Sequence, residues 1–141
     1  MDRASLDSKD LRLLDILKLD GRAPYSRLAA ELNISESAVR KRIARLKKLG
    51  IIKRFTVEYE IPGEATAIIL VKTQPPTPTP EVSRAIIRYR HVDKVYEITG
   101  EYDILVVVRA SSILDINNII DYIRSIKGVV GTQTSIVLRS Y

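Results

Sequence analysis

Cysteine and tryptophan are absent from the sequence, and His91 is its single histidine. Without cysteine the chain forms no disulfide and offers no thiolate to a metal, and one imidazole cannot build a multi-histidine centre. We therefore expect no metal site and no cofactor. His91 has no Ser or Asp partner in a catalytic pattern, and the sequence has no glycine-rich phosphate loop, so we expect that the protein is not an enzyme.

A long apolar run is also missing. No stretch approaches the roughly 18 apolar residues of a membrane span, and the first residues, MDRASLDSKDL, lack the apolar segment of a signal peptide. These features predict a protein that has no membrane partner and stays in the cytoplasm. The 141 residues, of which 45% are hydrophobic, are enough for one large or two small domains with real cores.

Positive charge is concentrated in the first half of the chain. Residues 1–60 hold 14 Lys or Arg and 9 Asp or Glu, a net charge of +5, whereas residues 61–141 hold 9 and 8, a net charge of +1. Eight of the cations lie between Ser35 and Phe55, where Glu36 is the one acidic residue. A surface that binds a polyanion is therefore expected in the first half.

Three helices are predicted in this half. The first begins after a cap at Asp7 and ends at Asp20-Gly21. A second covers about residues 26–32, and a third covers 36–49 after a cap at Ser35. The apolar stripe expected on the first helix consists of Leu11, Leu14, Ile16, Leu17 and Leu19.

The second and third helices have the spacing of a helix-turn-helix. The pattern has a small residue where the helices touch, a residue that tolerates left-handed backbone in the turn, and apolar anchors on both sides. The residues that meet it are Leu28, Ala29, Leu32, Asn33, Ile34 and Val39. Tyr25, next to the second helix, is predicted to be a partly buried core residue rather than a platform for stacking bases.

The segment after the third helix has strand-forming composition. Residues 51–61, IIKRFTVEYEI, predict one or two strands, which would make the helix-turn-helix domain winged-helix-like. Pro62-Gly63 then predicts a hinge. We expect a helix-turn-helix domain at 1–54, a connecting strand and hinge at 55–64, and a second domain at 65–141.

The second domain is predicted to be a ferredoxin-like β-α-β-β-α-β sandwich, so the whole chain falls in the α+β class. One face of such a sheet is uncovered by helices, and an apolar open face asks for a partner. The expected elements are a strand at 66–73, a helix capped at Thr79-Pro80 with Val82, Ile86 and Ile87 inward, a hairpin of strands 92–99 and 104–110, a helix after a cap at Ser112, and a strand from 129.

The third predicted helix has an apolar side and a basic side. At about 100° per residue, Val39, Ile43 and Leu46 form one stripe that can pack on the other two helices. Double-stranded DNA is the expected partner of the opposite side, because a membrane-surface helix needs a wide apolar face with large aromatics. The candidate DNA-binding residues are Ser35, Ser37, Arg40 and Lys41 near the bases, and Arg45 and Lys48 near the phosphates. The alternative is an ordinary solvated basic helix.

Two motifs carry a family resemblance. The first has Arg and a branched apolar residue, then Arg-Leu after a one-residue gap, Gly after a three-residue gap, and Ile after a one-residue gap. The residues that meet it are Arg42, Ile43, Arg45, Leu46, Gly50 and Ile52. The second is a Gly-x-Tyr-Asp turn, met by Gly100, Tyr102 and Asp103. With these motifs the chain resembles the leucine-responsive regulator and asparagine-activator (Lrp/AsnC) family of prokaryotic transcription factors.

The resemblance implies a sequence-specific transcription regulator. It also implies a homodimer built through the ferredoxin-like domains, often assembled into octamers, with a small molecule, usually an amino acid, bound near the Gly-x-Tyr-Asp turn between dimers. The segment from Glu58 to Ala65 is shorter than the connector common in the family, which leaves the dimer geometry open. The candidate effector-binding residues are Gly100, Glu101, Tyr102, Asp103, Thr132 and Thr134.

Alternatives remain at this stage for the turn and for the function. Gly100 can simply permit positive φ and Asp103 can bond local backbone, as hairpin residues do. An architectural DNA-coating protein with little sequence preference would carry the same basic helix. A metabolic amino-acid sensor that does not bind DNA is a further alternative. The concentration of positive charge in the first half of the chain is evidence against it.

Overall fold

A computed structural model of the chain describes residues 6–141, which divide into two compact units, one ending at Tyr59 and the other beginning at Glu60. This division lies inside the predicted connecting segment 55–64, and the exact domain limits stay predictions. No helix among the described residues is long and apolar enough to cross a membrane.

Three helices make up the first unit: α1 (Ser8–Leu19), α2 (Tyr25–Leu32) and α3 (Glu36–Lys48). Local sequence fixes where they begin. The Asp7 carboxylate accepts a hydrogen bond from the backbone N–H of Asp10, and Ser35 Oγ accepts one from the N–H of Ala38. Asn33 adopts the predicted left-handed conformation, with φ 50° and ψ 54°, and so turns the chain from α2 into α3.

The core of this unit consists of apolar side chains from all three helices, namely Leu13, Ile16, Leu28, Ala29, Leu32, Val39, Ile43 and Leu46. The stripe predicted for α1 is wrong in part, because Leu11 and Leu19 are exposed and Leu13 is fully buried. The reason is Asp10, which is itself fully buried three residues before Leu13 on the same side of the helix. A prediction based only on apolar residues does not include this carboxylate, and it therefore assigns the wrong face of α1 to the core.

The strands predicted over 51–61 are absent. Ile51 and Ile52 pack against the helical core instead, and their backbone N–H groups donate to the carbonyl oxygen of Leu46 at 3.0 and 3.2 Å. Residues 53–61 have no regular secondary structure. Strand-forming residues need a second strand to pair with, and no such strand lies beside them in the described part of the first unit. The unit is therefore a helix-turn-helix without the strands of a wing.

The second unit is a four-stranded antiparallel sheet with two helices. Its elements are β1 (Ala65–Thr73), α4 (Thr79–Ile86), β2 (Val92–Glu97), β3 (Ile104–Ala110), α5 (Ile113–Ser125) and β4 (Val129–Ile136). The strand order is β2-β3-β1-β4, with β1 pairing antiparallel to both β3 and β4. This topology confirms the predicted ferredoxin-like β-α-β-β-α-β sandwich.

The two faces of the sheet differ in what they contact. Helices α4 and α5 cover one face, where alternate residues of β1 and β3 are buried: Ala67, Ile69, Val71, Ile104, Val106 and Val108. The intervening residues project from the other face, where Ile68 pairs with Val107 and Leu70 pairs with Leu105. These four partly exposed side chains are named the open face below. Their presence confirms a sheet with one apolar face free of the domain's own helices.

Two predictions about α4 are corrected. Its N-cap is Pro78 rather than Thr79-Pro80, and no side chain caps the helix. The Thr79 hydroxyl lies 3.1 Å from that of Thr73 instead, so it joins the start of α4 to β1. Ile87 is 46% exposed because the helix ends one residue before it. The prediction that Ser112 caps α5 is confirmed, since its Oγ accepts from the N–H of Asp115 at 3.1 Å.

Candidate DNA-binding and effector sites

Helix α3 presents one side to its own domain and the other to solvent. Val39, Ile43 and Leu46 are buried against α1 and α2. Because these residues fix the rotation of the helix, the six candidate DNA-binding residues are all exposed: Ser35, Ser37, Arg40, Lys41, Arg45 and Lys48. The helix also ends cleanly, since Gly50 has φ 71° directly after the last turn.

The two serines at the start of α3 form a small hydrogen-bonded pair. Ser35 Oγ accepts from the N–H of Ala38 at 3.2 Å and lies 3.1 Å from Ser37 Oγ. Part of the bonding capacity of Ser35 is therefore used to cap the helix. Ser37, one residue inside the helix, is the more available of the two hydroxyls for a ligand outside the protein.

Arg40 lies over an aromatic ring. Its guanidinium carbon is 4.7 Å from the centroid of the Tyr25 ring, at the first residue of α2. Tyr25 is half-buried and packs against the helical core, as predicted. The contact is a cation-π interaction, which holds a long side chain in one region of space.

Four charged side chains join α3 to the start of α1, and Asp7, Asp10, Arg42 and Arg45 are named the Asp-Arg cluster below. Arg42 Nη1 lies 2.7 Å from Asp7 Oδ2 and 2.7 Å from Asp10 Oδ1, and Arg45 Nη2 bonds Asp10 Oδ2. Asp10 is fully buried, so its carboxylate has exchanged water for these cations. The cluster therefore fixes α3 on α1 by charge as well as by apolar packing.

The same contacts shift the pKa values of two members of the cluster, Asp7 and Arg42. The pKa of the Asp7 carboxyl is lowered, first by the hydrogen bond from the N–H of Asp10 and then by Arg42. The pKa of Arg42 is raised, chiefly by its hydrogen bond to Asp7 and then by that to Asp10. Sequence reasoning missed Asp7 and Asp10 as partners of α3, although Arg42 and Arg45 stand in the family motif that it used.

Arg45 thus differs from the other candidate phosphate contact. One of its N–H donors is committed to Asp10, whereas Lys48, at the end of the same helix, is exposed and forms no ion pair with any residue of 6–141. Neighbouring Lys47 lies over the Phe55 ring, with Nζ 5.5 Å from the ring centroid. Lys48 is therefore the clearer choice for a purely electrostatic contact with a phosphate.

The turn between β2 and β3 is fastened to β1. The Asp103 carboxylate accepts from the N–H of Thr73 at 2.7 Å and from its hydroxyl at 3.1 Å. Lys72 Nζ donates to the carbonyl oxygen of Glu101 at 2.6 Å and lies 3.7 Å from Asp103 Oδ1. The pKa of Asp103 is lowered, first by the N–H of Thr73. Gly100 has φ 125°, a conformation that favours glycine. Asp103 therefore has a structural role, but its backbone partner is Thr73 on β1 rather than the hairpin itself.

The side chains of Thr132 and Thr134, the candidate effector residues on β4, project from the helix-covered face of the sheet. Thr132 is paired with Val71 and Thr134 with Ile69, and both of these partners are buried under the helices. Thr132 Oγ1 accepts from Arg124 Nε of α5 at 3.0 Å. Paired residues share a face, so both threonine hydroxyls lie on one side, as the alternation predicted.

Gln133 projects from the opposite side. It pairs with Leu70 of the open face, and its Oε1 accepts from the Tyr102 hydroxyl at 2.8 Å. The 100–103 turn and Thr132 lie at one end of the sheet, beside Val71 of β1, whereas Thr134 lies opposite Ile69 in the middle of β1. Tyr102 turns towards the open side, while the two threonines lie on the helix side. Sequence reasoning missed Lys72 and Gln133, whose positions depend on the register of β1 and β4, and Arg124, whose position depends on the packing of α5 against β4.

Both units match known family models. The AsnC-type helix-turn-helix domain matches residues 6–47, and the Lrp/AsnC ligand binding domain matches residues 66–141. The chain is 52% identical over 141 residues to the HTH-type transcriptional regulator LysM of Saccharolobus solfataricus, covering 100% of this chain and 99% of that protein. It is 54% identical over 136 residues to LysM of Sulfurisphaera tokodaii, covering 96% and 97%.

Solved structures agree with these matches. PH0061 has a TM-score of 0.87 at 31% identity, covering 97% of this chain and 95% of that chain. The feast or famine regulatory protein Rv3291c of M. tuberculosis, complexed with L-methionine, has a TM-score of 0.86 at 25% identity, with coverages of 97% and 95%. The exposed basic helix and the ferredoxin-like sheet are consistent with these matches. The chain belongs to the Lrp/AsnC family of transcription regulators, has a DNA-binding helix-turn-helix domain and a ligand-binding domain, and is not an enzyme.

Proposed function

We propose that α3 enters the major groove of double-stranded DNA and reads a specific sequence. The observation that carries this proposal is the exposed basic side of α3 opposite its buried stripe of Val39, Ile43 and Leu46. Recognition helices read bases with their N-terminal residues, whereas phosphates are contacted along the flanks. In this arrangement Ser35, Ser37, Arg40 and Lys41 face the bases, and Arg45 and Lys48 face the phosphates.

Changing Lys48 to Ala is expected to weaken binding to all DNA sequences alike. Loss of one phosphate contact should flatten the slope of log affinity against log salt by about one unit. The measurement is a fluorescence-anisotropy titration on specific and random duplexes at several salt concentrations. Lys127→Ala is the matched control, because it removes one exposed lysine from the other domain. A loss of preference at a single base pair would show that Lys48 reads bases, against its assigned role.

We further propose that the regulator acts as a homodimer, assembled into higher oligomers such as an octamer. The apolar open face supports a second copy as its cover, since such a patch is costly to leave in water. Two linked helix-turn-helix domains would also bind two half-sites one helical turn apart. A DNA-binding regulator works where the DNA is held, which supports the cytoplasm as its place of action.

An amino acid is our proposed effector, bound at the end of the sheet that holds the 100–103 turn and the start of β4. The match to a ligand-binding domain supports this, as does the L-methionine complex of the similar Rv3291c structure. On the helix side of the sheet the chain offers cationic Arg124 for a carboxylate and the hydroxyls of Thr132 and Thr134 for polar contacts. The cationic Lys72, in contrast, lies on the open side. Bound there, the ligand acts by favouring one assembly over another, by no more than its difference in affinity for the two.

A thermal-shift screen of the amino acids on the full chain is expected to identify the effector. A ligand at about 100 times its dissociation constant should add roughly 2.7 kcal/mol to the free energy of unfolding. Thr134→Ala should then reduce the binding free energy of that ligand, measured by calorimetry, by about 1 to 3 kcal/mol, because the hydrogen bond between the Thr134 hydroxyl and the ligand is lost. Ligand-free DNA binding, measured by gel shift, should stay nearly unchanged.

Gln133→Ala is the matched variant for this test, since Gln133 is the neighbouring residue on the opposite side of β4. If Gln133→Ala weakens the ligand and Thr134→Ala does not, the ligand lies on the open side of the sheet. An equal loss of ligand-free DNA binding in Thr134→Ala would show that the residue supports the fold rather than the ligand.

A further inference from the structure

The three arginines of α3 are held in different ways. Arg42 and Arg45 bond carboxylates of the Asp-Arg cluster. No carboxylate among residues 6–141 forms an ion pair with Arg40, and its guanidinium lies instead over the Tyr25 ring. A ring face attracts the cation without offering it a lone-pair acceptor. Arg40 is therefore restrained while its N–H donors are not bonded to any residue of 6–141.

The position of Arg40 suits a base contact. It is the fifth residue of α3, in the N-terminal part of the helix, and it is exposed at the flank of the side that carries Ser37 and Lys41. An arginine fork matches the O6 and N7 acceptors of guanine in the major groove, the commonest specific arginine contact with DNA. A carboxylate partner would compete with guanine for that fork, whereas an aromatic ring does not.

We propose that Tyr25 is a positioning residue for sequence recognition, whose ring holds Arg40 in place to read one guanine. This inference rests on the proposed function, in which Arg40 faces the bases. The ring is itself fixed, because Tyr25 packs against the core shared by α1, α2 and α3. An arginine that is already restrained loses less side-chain entropy on binding, which raises its preference for the matching base.

The test begins with selection of the preferred operator from random duplexes by the full chain. Arg40→Ala should remove the preference at one guanine and lower affinity for the selected site by about 5- to 150-fold. Tyr25→Leu, which keeps an apolar side chain but removes the ring, should reduce the preference at that same guanine by about two- to fivefold. Tyr25→Phe is the matched control and should retain the preference, because it keeps the ring and loses the hydroxyl.

A double-mutant cycle separates positioning from other effects. Adding Tyr25→Leu to Arg40→Ala should change the base preference no further, because Tyr25 acts through Arg40. Affinity for random DNA and the melting temperature report any general damage to the domain. A fall in affinity that is equal for all sequences would overturn the inference, and so would a loss in Tyr25→Phe, which would assign the effect to the hydroxyl.

A second measurement avoids any loss of folding. Phenylalanine with increasing fluorine content at position 25 keeps the ring shape and weakens its attraction for cations. Preference for the guanine should fall stepwise along this series, and a constant preference would overturn the inference. If Arg40→Ala changes no base preference, the proposed role of Arg40 fails first. If Arg40→Ala does change it and the Tyr25 series does not, only the inference about Tyr25 fails.

Discussion

Replacing Asp10 by Ala is expected to destabilise the helical domain by roughly 3 kcal/mol. Asp10 is fully buried and bonds both Arg42 and Arg45 of α3. It also closes the start of α1, since its carboxylate accepts from the N–H of Asp7 at 3.2 Å. The substitution removes all three interactions at once.

The size of this effect follows from where the partners lie. Removing one member of a buried ion pair costs about 3 to 5 kcal/mol when the other charge stays buried. The side chains of Arg42 and Arg45 are 24% and 45% exposed, so both can turn towards water once Asp10 is gone. The expected loss therefore falls at the lower end of that range.

Urea denaturation of the full chain, followed by circular dichroism, measures this loss. Asp15→Ala is the control, because Asp15 is an exposed acid on the same helix and its loss should change stability by less than about 0.5 kcal/mol. DNA affinity of the Asp10 variant should fall together with the folded fraction of the helical domain. Equal stabilities of the two variants would show that the Asp-Arg cluster contributes nothing to holding α3.

The features that the sequence predicted correctly are those that neighbouring residues decide. Asp7, Ser35 and Ser112 cap helices through hydrogen bonds to backbone N–H groups three residues ahead. Asn33 turns the chain because its side chain tolerates left-handed backbone. The buried stripe of α3 was equally visible, since it contains only apolar residues at helical spacing.

The features that the sequence did not predict depend on distant partners. The burial of Asp10 becomes favourable only because Arg42 arrives from 32 residues away, so α1 alone gives no sign of it. Alternation along β4 showed that Thr132 and Thr134 share a side, but only their pairing with Val71 and Ile69 shows which side. In the same way, Tyr25 was recognised as a core residue while its contact with Arg40 was not.

The segment 55–61 shows a limit of a different kind. Phe55, Val57, Tyr59 and Ile61 alternate with polar residues, which is typical of a half-buried strand, yet all four are about half exposed or more. Composition records that a segment suits a strand and does not record whether a partner strand is available.

A charge placed on the open face is expected to break the proposed homodimer. In Leu70→Lys, the new ammonium would lie within the apolar patch formed with Ile68, Leu105 and Val107. A two-fold dimer contains each substitution twice. If each buried charge costs at least about 2 kcal/mol, the dissociation constant should rise by about a thousandfold or more.

The monomer should nevertheless fold. Leu70 projects away from the core that β1 forms with the helices, where Ile69 and Val71 are fully buried. A lysine can lay its methylene chain on the sheet and keep its charge in water as long as no second copy covers it. Unchanged circular dichroism at low temperature would verify that the variant is folded.

Sedimentation velocity of the full chain at micromolar concentration provides the test, with Leu70→Met as the matched control that keeps an apolar side chain of similar volume. Leu70→Lys should sediment as a monomer, and Leu70→Met as the wild type does. The monomer should also lose most of its affinity for a two-half-site operator, because linked domains bind the second half-site at high effective concentration. A Leu70→Lys chain that stays dimeric would move the dimer contact away from the open face and leave that surface free for another partner.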